Sequence, residues 1–415
     1  MNKVLIHSIV FSPDAVSTAY LYNDIALKLK SCNYDVSVLT TTPHYNVIKS
    51  ELKNQKLTPR LFGLYYVSNF NGITVKHVPQ KKFNNSLLRI IGFVYWHIIS
   101  FILGLCENDV DIILSPSPPL TIGLINILLA KIKKVKVIYN VQEIYPDLLI
   151  QQKKLKNIWT IKNLRRIERY VYNKSDAVTT IDEIFFNIIS ERFVDKSKLH
   201  IIPNFVDTSI YKPVNRNTLN LDESIFQKNS ALKLMYAGNI GFAQDWETLI
   251  NLAIKLHKEN IVFYVIGEGI MKSWLENEIK NHHLDNIIIL PYQNRDMMPS
   301  LLAFSDMQFI FMSVNTAELG FPSKVYTIMA CGKPMLVCSK ENTPIINFLK
   351  DKNCAFLIKE QDLGERVKQL TDIIKNTSKE MLERKGRNGL NEINQYYTKE
   401  IVTQKYVDLI NSLLE

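Results

Sequence analysis

Paired glycines follow two apolar runs in the second half of the chain, at positions where they could hold a phosphate group. The run at residues 232–237 is followed by Gly238 and Gly241, and the run at residues 261–266 by Gly267 and Gly269. Each run is typical of a buried strand, and a helical pattern begins a few residues after each glycine pair. Glycine lets the backbone approach a ligand closely, and a helix N-terminus offers unpaired N–H groups to an anion. The pattern therefore indicates anion binding.

Two lysines and two further strand exits extend this pattern. Lys272 lies on the first turn after the second glycine pair, and Lys324 opens a helical pattern after Phe321. The segment Pro291-Tyr292-Gln293 follows another apolar run. Exits from neighbouring parallel strands meet at one edge of a sheet, so four of them predict one crevice for a nucleotide diphosphate. Four unrelated turns are the alternative. The chain has no GxGxxG motif, which argues against a dinucleotide-dependent redox enzyme.

Carboxylates follow predicted strands in the first half of the chain. Asp14 comes after the run at residues 4–9, and Glu143 and Asp147 come after the run at residues 135–140, beside Tyr145. A carboxylate at such a position could orient or deprotonate the hydroxyl group of an acceptor substrate. Loop capping and turn formation are the alternative roles for each of them.

Val- and Ile-rich runs alternate with helical patterns along the whole chain, and these elements must position the residues above. Strands are expected at residues 4–9, 36–40, 73–78, 112–115, 135–140, 177–181, 200–202, 232–237, 261–266, 287–290, 307–312 and 335–337. Helices are expected at residues 18–30, 86–105, 121–132, 159–173, 183–193, 246–258, 272–282, 296–304 and 324–330. Apolar strands separated by helices predict an α/β protein of two Rossmann-like, doubly wound domains facing across a cleft.

The composition is that of a globular protein with ample core. The chain has 415 residues, of which 47% are hydrophobic and 22% charged, so two or three domains are expected and a disordered chain is excluded. The five cysteines are scattered without a CxxC pair, which predicts neither a zinc site nor a disulfide framework and fits a reducing compartment. The first residues lead directly into a strand pattern, so no signal peptide is expected.

The net positive charge of the chain comes entirely from its first half. Residues 1–207 contain 26 Lys and Arg against 16 Asp and Glu, a net charge of +10, whereas residues 208–415 contain 24 of each. A basic face attracts an anionic partner, with nucleic acid, acidic glycan and anionic membrane as candidates. A solvated lysine-rich surface is the alternative.

An apolar stretch at Leu87–Leu105 is almost long enough to span a bilayer. Arg89 and His97 interrupt it, and a predicted strand follows at once. We expect a buried or interfacial helix, with a membrane-touching amphipathic helix and a true span as alternatives. His97 is expected to be a core histidine rather than a ligand.

Six segments of the chain form a recognisable set in a fixed order. They are Phe11-Ser-Pro-Asp14 with the following residues to Ser17, Val141-Gln-Glu-Ile-Tyr-Pro-Asp147, Pro203-Asn-Phe-Val-Asp207, Tyr236-Ala-Gly-Asn-Ile-Gly-Phe-Ala-Gln244, Gly267-Glu-Gly269 and Pro322-Ser-Lys324 onward to Pro334. The set resembles retaining glycosyltransferases of family 4, in the subgroup that builds bacterial surface polysaccharides such as O-antigen, capsule and colanic acid. The resemblance covers residues 1 to about 340.

The resemblance implies a GT-B fold, with an acceptor domain at residues 1–207, a donor domain at residues 208–395 and a C-terminal helix, residues 396–415, that returns to the first domain. It implies a retaining sugar transfer from a nucleotide diphosphate to a glycan hydroxyl, without a metal or another cofactor. We expect a UDP-linked sugar, such as an N-acetylated hexosamine or a deoxyhexosamine, and a lipid-linked acceptor. The protein is then expected in the cytoplasm at the inner face of the plasma membrane, on anionic lipid and without nucleic acid.

The resemblance also implies roles for individual residues. Asp14, Glu143 and Lys324 are the candidate catalytic residues, and Ser17, Tyr145 and Asp147 the candidate acceptor-binding residues. The candidate donor-binding residues are Gly238, Asn239, Gly241, Gln244, Gly267, Glu268, Lys272, Tyr292, Gln293, Glu318, Pro322, Ser323 and Thr327.

The sequence departs from the family at charged positions. Asn239 and Gln244 stand where many members have Arg and Lys, so the diphosphate charge must be met elsewhere, first by Lys324 and second by Lys272. The family's paired glutamates fall on Leu319 and Thr327, with Glu318 one place out of register. The missing glutamates favour a catalytically weak or inactive partner subunit as one alternative function. A sugar-nucleotide 2-epimerase, which shares the two-domain architecture, is the other.

Overall fold

The structure, a computed structural model, describes all residues except 46, 48, 82–84, 152–154, 220, 223, 227–230, 315 and 319. The chain forms two compact units. The first comprises Met1–Asn204 together with Glu400–Glu415, and the second comprises Phe205–Lys399. The sequence analysis places these boundaries after residues 207 and 395.

A nine-stranded sheet forms the centre of the first unit. Its strands are β1 (Lys3–His7), β2 (Asp35–Thr41), β3 (Thr58–Arg60), β4 (Tyr65–Phe70), β5 (Ile73–Val78), β6 (Ile112–Ser117), β7 (Lys136–Val141), β8 (Ala177–Thr180) and β9 (Leu199–Ile201). They lie in the order β3-β4-β5-β2-β1-β6-β7-β8-β9 and are parallel apart from the pairings of β4 with β3 and with β5. The order reverses between β1 and β6, which is where open α/β sheets bind ligands.

Helices connect these strands. They are α1 (Ser17–Ser31), α2 (Lys49–Asn54), α3 (Ser86–Leu105), α4 (Leu120–Lys133), α5 (Asp147–Gln151), α6 (Ile158–Lys174) and α7 (Glu183–Ser190). The central strands are buried along nearly their whole length because helices cover the sheet, which explains their continuous apolar sequences.

The second unit contains a six-stranded sheet that is parallel throughout. Its strands are β10 (Leu232–Ala237), β11 (Ile261–Ile266), β12 (Ile287–Leu290), β13 (Met307–Phe311), β14 (Met335–Cys338) and β15 (Ala355–Ile358), in the order β12-β11-β10-β13-β14-β15. Its helices are α8 (Trp246–Lys255), α9 (Lys272–Asn281), α10 (Met298–Phe304), α11 (Lys324–Ala330), α12 (Pro344–Leu349), α13 (Leu363–Asn376) and α14 (Lys379–Glu392). The order reverses between β10 and β13, so the loops after these strands border the switch point.

The last helix, α15 (Lys399–Leu414), belongs to the first unit from residue 400 onward. Val402, Tyr406 and Ile410 are buried on one of its faces, and Asn411 accepts a hydrogen bond from the Tyr34 hydroxyl. The spacing of four residues between the buried positions explains how one helix face completes the core of the first unit.

Helix α3 is long and apolar enough to cross a membrane. Only 22% of its most apolar stretch is buried within the protein. It connects β5 to β6, both strands of the first sheet. Its inner face buries Trp96 and His97, and burial lowers the pKa of His97, as expected for a core histidine. The inner face is therefore buried as expected, and whether the exposed outer face is interfacial, touches a membrane or spans one stays a prediction.

Candidate functional site

The two glycine-rich loops of the second unit lie against each other at the carboxyl edge of its sheet. The Gly238 amide donates a hydrogen bond to the Ile266 carbonyl at 2.9 Å, and the Ile240 amide donates to the Glu268 carbonyl at 2.9 Å. A Cβ on Gly267 would lie 1.9 Å from the Gly238 carbonyl oxygen. Both Gly238 and Gly267 have a φ of 151°, a conformation that other residues rarely adopt. The glycines are therefore required by close backbone packing.

A buried lysine ammonium lies beside the first of these glycines. Lys324 Nζ would be 2.6 Å from a Cβ on Gly238 and is 3.5 Å from the centroid of the Tyr236 ring. This nitrogen is buried and has no hydrogen-bond partner among the described residues. Burial lowers the pKa of Lys324 to about 7, because the charged form loses its hydration. The ring face supplies a cation–π contact but no counter-charge.

The uncharged candidates after β10 line the same loop. The exposed Asn239 side chain lies over Gly241 and Gly269, since a Cβ on either glycine would meet it at 2.7 Å. Gln244 directs its amide nitrogen towards the sulfur of Met312 at 3.8 Å, and its buried amide oxygen has no partner among the described residues. Both side chains can offer hydrogen bonds to a ligand at this edge, but no charge.

The second lysine candidate is already engaged. Lys272, at the start of α9, forms an ion pair of 2.8 Å with Glu268 one turn before it. Two of the donor-binding candidates therefore bind each other in the structure. Lys324 carries the stronger case for meeting a diphosphate, because its charge is buried and uncompensated.

A side chain caps the start of helix α8. The Asp245 carboxylate accepts a hydrogen bond from the Thr248 amide at 3.1 Å and from the Thr248 hydroxyl at 2.6 Å. Arg366, 121 residues later in the chain, holds the same carboxylate at 3.0 Å. The cap takes up the Thr248 amide, and anion binding by the other amides of this helix start stays a prediction.

The remaining donor-binding candidates are spread along the same sheet edge. Tyr292 is exposed, and the Gln293 amide donates to the Pro291 carbonyl at 3.1 Å. Pro322 and Ser323 immediately precede α11, which places Lys324 at its first position. The structure therefore brings the β10, β11 and α11 candidates together. Within the described part of the chain, no hydrogen bond joins the side chains of Tyr292 or Gln293 to them.

The positions of the family's glutamates hold no carboxylate aimed at the lysine. Glu318 forms an ion pair of 2.8 Å with Lys340, and the Thr327 hydroxyl donates to the Lys324 carbonyl at 2.9 Å. Leu319 lies outside the described residues. The Thr327 hydroxyl is thus occupied within its own helix.

In the first unit, Asp14 and Glu143 both lie at the carboxyl edge of the sheet. The buried Asp14 carboxylate accepts hydrogen bonds from the amides of His44 and Tyr45, each at 3.1 Å. Burial raises the pKa of Tyr45, and the charge of Asp14 adds to this shift. Burial likewise raises the pKa of Tyr145, with a further rise from the carboxylate of Glu143 that it contacts. Asp14, Tyr45, Tyr145 and Glu143 are therefore electrostatic neighbours, with Asp14 in the loop-capping role.

The other two acceptor-binding candidates differ in their surroundings. Asp147, the first residue of α5, is held by Arg192 and, at 3.2 Å, by Arg165. Ser17 is exposed at the first position of α1, where Val16 supplies no side-chain cap. Ser17 is thus accessible to a ligand, whereas Asp147 serves as the anchor of a salt-bridge network.

Sequence reasoning missed Tyr236, Asp245 and Arg366. Tyr236 lies in a strand whose apolar pattern masks the contact of its ring with Lys324. The Asp245-x-x-Thr248 spacing before α8 is a capping signal that could have been recognised. No local signal reveals Arg366, because its partner is remote in sequence. The described residues contain no group of three or more His, Cys, Asp or Glu side chains placed to hold a metal ion.

Comparison with protein families identifies both halves of the chain. Residues 21–210 match the family model described as Glycosyltransferase Family 4, and residues 220–392 match the model described as Glycosyl transferases group 1. The putative colanic acid biosynthesis glycosyl transferase WcaI of Escherichia coli K12 is 23% identical over 357 residues, which are 83% of this chain and 84% of that protein.

Two solved structures share the whole fold at low identity. Sucrose-phosphate synthase from Thermosynechococcus elongatus has a TM-score of 0.76 at 12% identity, with 100% of this chain and 99% of that chain covered. Anabaena Alr3699/HepE, in complex with UDP and glucose, has a TM-score of 0.71 at 13% identity, with 100% of both chains covered. At these identities the likeness shows the fold, the two-domain GT-B architecture.

Proposed function

The chain belongs to the glycosyltransferases of family 4, and on that premise we propose that it transfers a sugar from a UDP-linked donor to a lipid-linked glycan, with retention of the anomeric configuration. The glycan is a precursor of a bacterial surface polysaccharide. The colanic acid assignment of the E. coli relative supports the pathway class, and the nucleotide in the Anabaena structure supports the uridine base.

The observation that carries the proposal is the uncompensated ammonium of Lys324 at the glycine exits of β10 and β11. Its nitrogen is buried and unpartnered among the described residues, over the Tyr236 ring and beside Gly238. A buried charge without a partner is unfavourable, and an anion that reaches it recovers the lost interaction. A sugar-nucleotide diphosphate is such an anion, and its charge grows as the sugar bond breaks.

Sugar transfer breaks the bond between the anomeric carbon and the β-phosphate oxygen and forms a bond from that carbon to the acceptor oxygen. In the proposed reaction the acceptor attacks the face from which the diphosphate departs. The departing phosphate oxygen takes the acceptor's proton, so no protein nucleophile is needed. Lys324 stabilises the developing charge on the phosphate. Asp14 shapes the acceptor loop through the amides of residues 44 and 45, and Glu143 with Tyr145 offers groups that can orient the acceptor hydroxyl.

A nucleotide-sugar screen tests the donor assignment. UDP-, GDP- and dTDP-sugars are added to the full chain at saturating concentration, and the melting temperature is measured. A ligand at 100 times its Kd stabilises a protein by about 2.7 kcal/mol. We expect the UDP-sugar to give the largest shift and the Lys324→Met variant to lose it. Lys375→Met, which removes an exposed partner of Glu259 on the surface, is the matched control and should retain the shift.

The acceptor and the localisation are tested with a membrane extract. The proposed enzyme works in the cytoplasm at the inner face of the plasma membrane, where such acceptors are presented. The protein should release UDP from the preferred donor when a lipid extract that contains the polysaccharide precursor is added as the acceptor. Release of GDP from a GDP-sugar, or of dTDP from a dTDP-sugar, with no release of UDP from any UDP-sugar would overturn the donor assignment.

A non-catalytic partner subunit is the second candidate, and the Thr327 position favours it. A threonine whose hydroxyl donates to the Lys324 carbonyl at 2.9 Å cannot supply the charged acceptor that the family's second glutamate provides. A subunit of this kind would show the thermal shift with UDP-sugar but no release of UDP with any acceptor. The two readouts together separate the functions.

A further inference from the structure

The outer face of α3 is a continuous apolar stripe. Leu87, Ile91, Val94, Ile98 and Ile102 follow the helical spacing, and each is between 48% and 64% exposed. Asn85 caps the helix start, so the helix is held in place at the surface by its own cap and its buried inner face. A contiguous row of five exposed apolar side chains on one helix face is typical of an interaction site.

A cavity extends this stripe towards α4. It has a volume of about 360 Å3 and is lined by apolar surface, including Val94 and Ile98 of α3 and Ile125 and Leu128 of α4. Leu128 and the neighbouring Ile132 are themselves exposed. The stripe and the cavity together can receive hydrocarbon but offer little to a polar ligand.

A short hydrophobic turn lies beside the same helix. Leu61 and Phe62 are exposed, Phe62 completely, and both have left-handed backbone conformations, with φ of 44° and 55°. The hydroxyl of Tyr95 on α3 reaches the Leu64 carbonyl at 3.4 Å, which joins this turn to the helix. Large apolar residues rarely adopt this conformation, and strained exposed residues of this kind point to function rather than to packing.

The charge around the stripe is positive. Helix α4 packs between α3 and α6, and Lys131 of α4 donates to the Tyr170 hydroxyl of α6 at 3.0 Å. On α6 the residues Lys162, Arg166 and Arg169 are exposed, and the acid of that helix, Glu168, is buried. Trp159, at the start of α6, is 75% exposed. Exposed tryptophan and basic residues beside an apolar face are typical of a membrane–water interface.

We propose that α3, the Leu61–Gly63 turn and α6 form one docking surface for an anionic bilayer. Phe62 and the α3 stripe enter the boundary between headgroups and acyl chains, and the basic residues of α6 lie against anionic headgroups. The inference deepens the proposed function, because a lipid-linked acceptor would then be met at its own membrane. It does not depend on the donor chemistry.

Vesicle flotation with the purified full chain tests the surface. Vesicles of phosphatidylcholine alone are compared with vesicles that also contain phosphatidylglycerol, at low and at high salt. We expect binding to the anionic vesicles, weakened by salt. Phe62→Glu should reduce the partition coefficient by about tenfold. Arg166→Glu and Arg169→Glu should each reduce it by about fivefold at low salt.

Ile254→Glu is the matched control, since Ile254 is an exposed apolar residue on α8 in the second unit. It should bind vesicles like the unchanged protein. The thermal shift with UDP-sugar should be the same in the unchanged protein and in Phe62→Glu, so failure of docking and failure of the proposed function give different results. Absence of vesicle binding by the unchanged chain would overturn the proposal and assign the stripe to a protein partner. Full binding by Phe62→Glu would overturn the role of the turn.

Discussion

Lys324 carries its charge at a place where water cannot stabilise it. The ammonium rests on the face of Tyr236, 3.5 Å from the ring centroid, and a Cβ on Gly238 would lie 2.6 Å from it, so the glycine leaves room for the ammonium. Electrostatic groups that are held in a dry site before the ligand arrives interact with it more strongly than the same groups in water. Burial of Lys324 is therefore unfavourable for the stability of the free protein, and the same burial strengthens its interaction with a bound anion.

Replacing this lysine should separate stability from donor binding. Lys324→Met removes a buried uncompensated charge, so we expect the free energy of unfolding of the ligand-free protein to rise by about 2 kcal/mol near neutral pH. The stabilisation by UDP-sugar should disappear in the same variant. Urea unfolding with and without the nucleotide-sugar measures both effects. A variant that is less stable without ligand would show that the ammonium has a partner that stabilises it.

Donor affinity should fall as the pH rises above 7. Burial lowers the pKa of Lys324 to about 7, so the free protein loses this proton above that pH and must take it up again to bind the diphosphate. Calorimetric titration with a nucleotide-sugar in two buffers of different ionisation enthalpy measures the uptake. It should approach one proton per site above pH 8. Lys324→Met should take up none.

The lowered pKa of Lys324 also determines whether the stability of the protein rises or falls with pH. The pKa of the unfolded lysine is about 10.4, so between pH 7 and that value the unfolded state binds more protons than the folded state. Stability from this group should therefore increase as the pH rises through this window, by about 1.4 kcal/mol per pH unit at most. The increase should be missing from the pH profile of Lys324→Met.

At the scale of elements, the glycine-rich loops after β10 and β11 depend on each other for their packing. Gly267→Ala would place a Cβ 1.9 Å from the Gly238 carbonyl oxygen and force alanine into a φ of 151°. We expect a loss of about 3 kcal/mol of stability and a weaker shift with UDP-sugar. Gly364→Ala, on the first turn of α13, is the control: its Cβ would contact one side-chain oxygen of Asp362 at 3.3 Å, so its effect on stability should be far smaller. Equal effects in both variants would contradict the close packing of the loops.

The Leu61–Gly63 turn should show a conflict between stability and docking. Phe62→Gly relieves a left-handed conformation at an exposed position, so the free energy of unfolding should rise by about 1 kcal/mol. Vesicle binding should fall because the phenyl ring is lost. Thermal melting and flotation of the same preparation test the two effects, and a decrease in stability would mean that the ring packs on the protein.

The sequence predicts the central strands well and misses three strands at or near sheet edges. The runs at residues 232–237 and 261–266 are strands at these same bounds, because buried parallel strands are almost continuously apolar. The missed strands are Thr58–Arg60, Tyr65–Phe70 and Ala355–Ile358, which lie at or near sheet edges and are short or carry polar residues. Partners across the sheet, rather than local sequence, decide such strands.

The candidate site shows the same division. The glycines and Lys324 are visible in the sequence because each follows or opens an element. The ring of Tyr236, the capping of α8 by Asp245 and the distant Arg366 depend on tertiary packing, so residue types alone do not reveal them. The sequence therefore predicts available charge at Lys272 and Lys324, whereas in the structure Lys272 has an acidic partner, Glu268.

At the scale of the whole molecule, the two units differ in net charge, and the first unit consists of two separate segments of the chain whereas the second consists of one. The excess of ten positive charges lies within residues 1–207, and the rest of the sequence is balanced. The first unit also depends on residues 400–415, which follow the entire second unit in sequence. Helix α15 is joined to it by buried contacts and by hydrogen bonds, including one between Tyr406 and Thr179 of β8.

Loss of α15 contacts should unfold the first unit selectively. Ile410→Ala removes a fully buried side chain, and we expect a cost of about 3 kcal/mol. Hydrogen exchange should show faster exchange in β8 and its neighbours, while amides of β10 and β11 keep their protection. Leu414→Ala, at a half-buried position near the chain end, is the control with a smaller cost. Equal acceleration in both units would contradict the division of the chain.

The placement of α15 bears on how the protein is made. A ribosome delivers the first 204 residues long before the helix that closes their core, and the 195 residues of the second unit must emerge in between. During that interval the apolar side chains that α15 covers are open to solvent, in addition to the outer surface of α3, which stays exposed in the folded protein. Nascent chains of this protein should therefore recruit chaperones on the first unit until α15 has left the ribosome and packed.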